Sequence, residues 1–173
     1  DFRMPQRPVQ ADILVIEATY GDPRWTRRFG REFPVHQLIR LVKRVVKSGP
    51  IQIFATQGKV QEVMGILRKA EIQVPFLMPK KIYSWSQVYM QHGKDLGECL
   101  SLESEEAQEI QRSKSGYILF FTIGSKMLDF NKYFCIKISG LESRAPFQEV
   151  TKNYYSLTIS DHADLNELLS FIE

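Results

Sequence analysis

Short apolar runs that alternate with amphipathic stretches limit this chain to a small set of architectures. The runs at 51–55, 73–78, 117–123, 133–139 and 153–159 have the length and composition of strands. Residues 34–47 instead repeat Val35, Leu38, Ile39, Val42, Val45 and Val46 at helical spacing, with Arg40, Lys43, Arg44 and Lys47 on the opposite side. Pro34 suits a first helical turn and Gly49-Pro50 stops the helix. A second helix opens at Gly58-Lys59 and runs to about Ala70, with Val60, Val63, Met64 and Leu67 inward. A third, over 79–92, places Tyr83, Trp85 and Tyr89 for packing. Early strands alternate with helices and later ones are joined by shorter links. That order predicts a layered α/β fold, a mainly parallel sheet flanked by helices.

An earlier run has a different character. Ile13, Leu14, Val15 and Ile16 are all apolar, which predicts a strand over 12–17 covered on both faces. It ends on Glu17, followed by Thr19-Tyr20-Gly21. Composition sets outer limits. At 43% hydrophobic and 25% charged residues the chain is globular, not disordered. No apolar run approaches the ~20 residues that span a bilayer, so a membrane is not an expected partner. Cys99 and Cys135 match no spaced metal or disulfide pattern, and a reduced, cytoplasmic location is expected. A net charge of +3 permits an anionic partner without requiring one.

Several stretches carry candidate chemistry. Ser160-Asp161-His162-Ala163-Asp164 lies between the strand at 153–159 and an amphipathic stretch at 165–172. His162 therefore stands at a strand-to-helix junction, where ligand and catalytic groups often sit. The alternative is that Asp161 and Asp164 form a capping box beside an incidental His. The loop at 21–31 holds Trp25 and the arginines Arg24, Arg27, Arg28 and Arg31. Arginine forks onto phosphates and an aromatic stacks on a base, so the loop suits a nucleic-acid strand; a solvated loop beside a core Trp is the other reading. Lys59, at a helix N-terminus, is a candidate phosphate contact, against a tight turn with an exposed lysine. The full nucleotide P-loop pattern is absent there. His36 and His92 sit at helix ends, and the Glu-rich stretch at 101–111 has the composition of a solvated face.

Taken together, three of these stretches resemble the β-CASP nucleases of the metallo-β-lactamase superfamily. The matches are Glu17-Ala18-Thr19-Tyr20-Gly21, then 54–62 as "F-A-x-x-G-[RK]-x-Q-E", then Ser160-Asp161-His162-Ala163-Asp164, in that family's order. Asp1-Phe2-Arg3 is similar to the family's "G-D-F-[SR]" without its Gly. The resemblance implies a metal-dependent nuclease hydrolysing phosphodiester bonds, with RNA 3′-end processing as the favoured activity. Thr19-Tyr20-Gly21-Asp22-Pro23 also resembles the DNA cross-link repair branch, so a DNA repair exonuclease is the alternative. So is a non-catalytic member that binds nucleic acid or docks a partner.

The resemblance further implies roles and boundaries. Asp1 would bridge two zinc ions, His162 would be the general acid, and Glu17 would position or tune it. An imidazole beside a carboxylate favours the protonated form that a general acid needs. Residues 1–20 and 153–173 would belong to the lactamase part and 21–152 to the β-CASP insertion. The family's "H-x-H-x-D-H" motif is not in this sequence, whose only histidines are His36, His92 and His162. The expectation is that the two zinc ions belong to a longer protein and that this chain alone is inactive. RNA in preference to DNA, and a second copy of the chain as a homodimer, are the partners this reading allows.

Overall fold

A computed structural model describes residues 7, 10–113, 116–125, 133–140 and 145–172. Its centre is a seven-stranded sheet in the order β3-β2-β4-β1-β5-β7-β6. The strands are β1 (Ile51–Ala55), β2 (Phe76–Met78), β3 (Cys99–Ser101), β4 (Ile118–Thr122), β5 (Phe134–Ser139), β6 (Phe147–Thr151) and β7 (Tyr154–Thr158). All neighbours run parallel except β6 and β7, which pair antiparallel. The expected layered α/β architecture is therefore the one observed.

The layers follow from side-chain alternation. Ile51, Ile53 and Ala55 of β1 point to one face with Ile118, Phe120, Ile136 and Ile138. On that face lie α1 (Glu32–Val45), α2 (Lys59–Lys69) and α3 (Lys80–Gln91). Phe54, Leu77, Leu119 and Phe121 point to the other face and meet Ala107 and Ile110 of α4 (Glu105–Arg112). Cover on both sides is why β1 and β4 are almost continuously apolar. In α1 the inward set is Pro34, Leu38, Leu41 and Val42, with Val46 just beyond its end. A last helix, α5 (Leu165–Ile172), follows β7.

Two expectations about strands are corrected. Residues 12–17 are not a strand, and Ile13 and Val15 are 84% and 92% exposed. Apolar character alone does not make a strand; backbone partners do, and among the described residues this segment pairs with neither sheet edge. Tyr20, just beyond it, makes an isolated parallel bridge to Asp164. Conversely, β3 and β6 are strands that periodicity does not announce. β3 is three residues long, and β6 (Phe-Gln-Glu-Val-Thr) is mostly exposed at the sheet edge. The boundary expected at 152/153 falls within the β6–β7 hairpin, so the sheet runs across it.

Buried polar groups fasten the helices. Arg68 donates to the carbonyls of Leu96 (2.9 Å), Ile72 (2.5 Å) and Glu98 (3.2 Å), and its guanidinium lies 3.6 Å from the centre of the Phe76 ring. Gln61 accepts from the Gly58 N–H and donates to Ser86 of α3. Cys99 and Cys135 are free and buried, and burial pushes both thiols up to about 11. Among the described residues no helix is long and apolar enough to cross a membrane.

Gly93 and Gly97 both adopt positive φ, but only Gly97 is crowded: an added Cβ would lie 2.0 Å from Arg68 Nε. Gly93→Ala is expected to cost about 1–2 kcal/mol for the backbone conformation alone. Gly97→Ala adds displacement of a buried guanidinium and is expected to cost at least ~2 kcal/mol more. Urea unfolding of the two variants reads the difference directly; equal midpoints would contradict it.

Candidate active site

Parallel pairing sends the carboxyl ends of β1, β5 and β7 to one edge of the sheet. The chain leaves β1 toward β2 on one side and β5 toward β7 on the other, so the strand order reverses there. Such a reversal opens the crevice in which α/β sheets place ligands. Gly58-Lys59 follows β1, Gly140 follows β5, and 160–164 follows β7.

Glu17 and His162 meet at this edge. His162 Nδ1 lies 3.0 Å from Glu17 Oε1, across 145 residues of chain, with 27% and 23% of the side chains exposed. A carboxylate only accepts, so this contact places a proton on Nδ1. The other Glu17 oxygen accepts from the Thr19 N–H at 2.9 Å. The His162 N–H donates to Ser160 Oγ, and the Tyr20 ring stands edge-on to the imidazole at 5.8 Å. Tyr20 is buried, donates to the Gly140 carbonyl, and is raised above the ordinary tyrosine range, chiefly by desolvation.

The helix cap is real, but its register differs from the expected one. Asp164, not Asp161, begins it: Asp164 Oδ1 accepts from the Glu167 N–H at 3.1 Å, and Glu167 Oε2 accepts from the Asp164 N–H at 3.0 Å. This is the reciprocal capping box, and the spacing Asp164-x-x-Glu167 carries its signature in the sequence. Asp161 faces elsewhere and pairs with Lys59 at 2.6 Å.

Two residues expected to contact nucleic acid are internal ties instead. The Arg27 side chain is 7% exposed. It donates to Glu167 Oε2 at 2.6 Å and to the His162 carbonyl at 3.0 Å, while its backbone N–H donates to Asp164 Oδ2. Lys59, not the exposed lysine of the alternative reading, is 5% exposed and ion-paired with Glu62 (2.5 Å) and Asp161 (2.6 Å). Burying a cation is costly unless carboxylates meet it, and here they do. Arg31 likewise donates inward, to the Ser160 carbonyl.

The rest of the loop faces outward. Asp22 caps a short 3-10 turn, Pro23–Trp25, and grips Arg24 through its guanidinium and backbone N–H. The Arg24 side-chain hydrogen bond holds the Asp22 carboxyl down to about 2. Trp25 is 40% exposed, so it is not the core residue of the alternative reading, and Arg28 is exposed. His36 and His92 are exposed. Asp1, the expected metal ligand, lies outside the described residues. Among the described residues no group of three or more His, Cys, Asp or Glu side chains converges as a metal site.

No protein-family profile matches the chain. It is 34% identical over 96 residues to a protein of Acidianus ambivalens described as "Uncharacterized protein in lig 3'region", a match covering 54% of this chain and 68% of that one.

Asp164→Ala removes both the helix cap and an acceptor beside buried Arg27. The expected loss is about 2 kcal/mol, since a cap alone contributes ~1 and the Arg27 backbone N–H is left without its acceptor. Asp164→Asn, which keeps the cap, is expected to recover part of it. Chemical denaturation of both variants checks the order.

Proposed function

We propose that this chain, which belongs to the same family as the uncharacterized Acidianus ambivalens protein, supplies the proton donor of a phosphodiester-cleaving centre. The observation that carries the reading is the 3.0 Å contact between Glu17 and His162. Hydrolysis of a phosphodiester leaves an alkoxide that needs a proton, and a positioned imidazolium delivers one. Glu17 accepts from Nδ1 and fixes the ring's orientation, so that Nε2 faces the leaving oxygen. The partly exposed ring is within reach of a substrate, while its backbone is held on both sides.

The substrate we favour is single-stranded RNA, in keeping with the resemblance of the Glu17, Gly58-Lys59 and His162 motifs to β-CASP nucleases. Exposed Arg24, Trp25 and Arg28 sit on the loop whose neighbouring Arg27 bonds the His162 carbonyl, so they flank the donor. A guanidinium beside an aromatic suits a flexible strand, with phosphate contact from one and base stacking from the other. The described residues do not offer a complete zinc ligand set, and the role assigned to them is proton donation, which needs no metal contact from Glu17 or His162.

In a zinc-supplied form of the protein, His162→Ala is expected to lower cleavage of a single-stranded RNA oligonucleotide by roughly 10²–10⁴-fold with the fold intact by circular dichroism. Glu17→Gln is expected to lose less, because it keeps the side chain's shape and removes the charge. An unchanged rate in both variants would remove the pair from the mechanism. A DNA oligonucleotide of the same sequence, run in parallel, separates the RNA reading from the DNA one.

Arg24→Ala with Arg28→Ala is expected to weaken binding of the same oligonucleotide. Its salt dependence should flatten by a slope of about one to two, roughly one for each phosphate no longer neutralised. Fluorescence anisotropy across a salt series measures both. A slope equal to the wild type's would place the strand elsewhere.

A further inference from the structure

We infer that Lys59 and Asp161 form an ionic latch that sets the position of His162, so that both are positioning residues of the proposed proton donor. The inference rests on the preceding reading of His162, and goes beyond it by assigning work to an ion pair between buried Lys59 and the half-exposed neighbour of His162, Asp161.

The two loops concerned come from different strands. Lys59 begins α2 just after β1, and Asp161 lies in the turn after β7. β5 separates these strands in the sheet, so their loops are not joined by the sheet's own hydrogen bonds. Lys59 Nζ joins them, 2.6 Å from Asp161 Oδ2 and 2.5 Å from Glu62 Oε2. Its stem is 5% exposed, so few rotamers remain open to it. Gly58 sets the direction of approach: its φ of 81° turns the chain sharply into α2, and Gln61 holds its N–H.

Asp161 immediately precedes His162. With the Asp161 carboxylate fixed, the peptide that carries the His162 N–H is fixed too, and that N–H donates to Ser160 Oγ. Arg27 holds the following carbonyl. Lys59 therefore acts on the amino side of His162 and Arg27 on its carboxyl side. A ring displaced by about 1 Å costs on the order of 100-fold in rate, so the latch acts on catalysis without touching substrate.

The test needs no nuclease activity for its first arm. Nitrogen chemical shifts of the His162 ring, read by long-range NMR in the purified chain at one fixed pH, report which ring nitrogens carry protons. In the wild type Nδ1, bonded to Glu17, is expected to show the shift of a protonated nitrogen. Lys59→Met and Asp161→Asn are each expected to move the shifts toward the average of a freely exchanging ring, and Lys59→Arg to restore the wild-type pattern. Asp161→Asn is isosteric and decides the question where Lys59→Met fails to fold. Wild-type shifts in Asp161→Asn would overturn the latch.

The second arm measures RNA cleavage by the same zinc-supplied form. Asp161→Asn is expected to lower kcat on the order of 100-fold with KM unchanged, and a wild-type kcat would overturn the inference. Shifts that move in Asp161→Asn, together with a wild type that cleaves nothing, would leave the latch standing and sink the nuclease reading alone.

Discussion

Withdrawing a guanidinium from water costs several kcal/mol, roughly, unless its donors find acceptors. Arg27 is withdrawn at the place where the opening segment crosses the closing turn. Its acceptors belong to that turn and the helix after it: the His162 carbonyl, Glu167 and, through the backbone N–H, Asp164. The arrangement is therefore mutual. The turn needs Arg27 to hold its carbonyl and acids, and Arg27 needs the turn to remain buried. Among the described residues, segment 17–27 has no strand pairing beyond the Tyr20 bridge, so side chains keep it in place. Arg27, with Tyr20 and Arg31, holds the segment from which Glu17 reaches His162.

The central strands were legible because their physics is local. β1, β4, β5 and β7 are covered on both faces or nearly so, and apolar runs bounded by glycine and proline report that burial directly. Edge strands are different. β6 has exposed side chains and exists because β7 offers it a ladder, a fact held in another part of the chain. The segment at 12–17 teaches the same lesson in reverse, since Ile13 to Ile16 satisfy the local rule and lack the partner.

The site was legible as a set of residues and less so as a set of roles. The meeting of Glu17 and His162 came from motif order, not from any spacing that geometry could have supplied. Charge sign was visible, but charge direction was not. Arg24 and Arg28 face outward while Arg27 and Arg31 turn in, within one loop of nearly uniform composition. Hydrophobic residues reveal their direction by period, whereas a long cationic side chain goes wherever an acceptor is available. Lys59 shows the same limit, since its partner Asp161 belongs to the far end of the chain. The cap, by contrast, was within reach of sequence: Asp164 and Glu167 stand at capping-box spacing, and the nearer acid, Asp161, drew the assignment to the wrong register.

A proton donor must satisfy two demands that pull apart. It has to be reachable by substrate, which favours exposure, and held to within about 0.5 Å, which favours burial. As the proposed donor, His162 would meet them by dividing the residue. Its backbone is fixed by Ser160 on one side and Arg27 on the other, and its Nδ1 edge by Glu17. Tyr20 stands against the ring and is itself anchored to the loop after β5, so the orientation is referred back to the sheet. The remaining part of the side chain, 27% of its surface, is open. Rigidity thus comes from the main chain and one ring nitrogen, and access from the rest of the ring. A histidine serving only to fill space beside a helix cap would have no need of a carboxylate brought from 145 residues away.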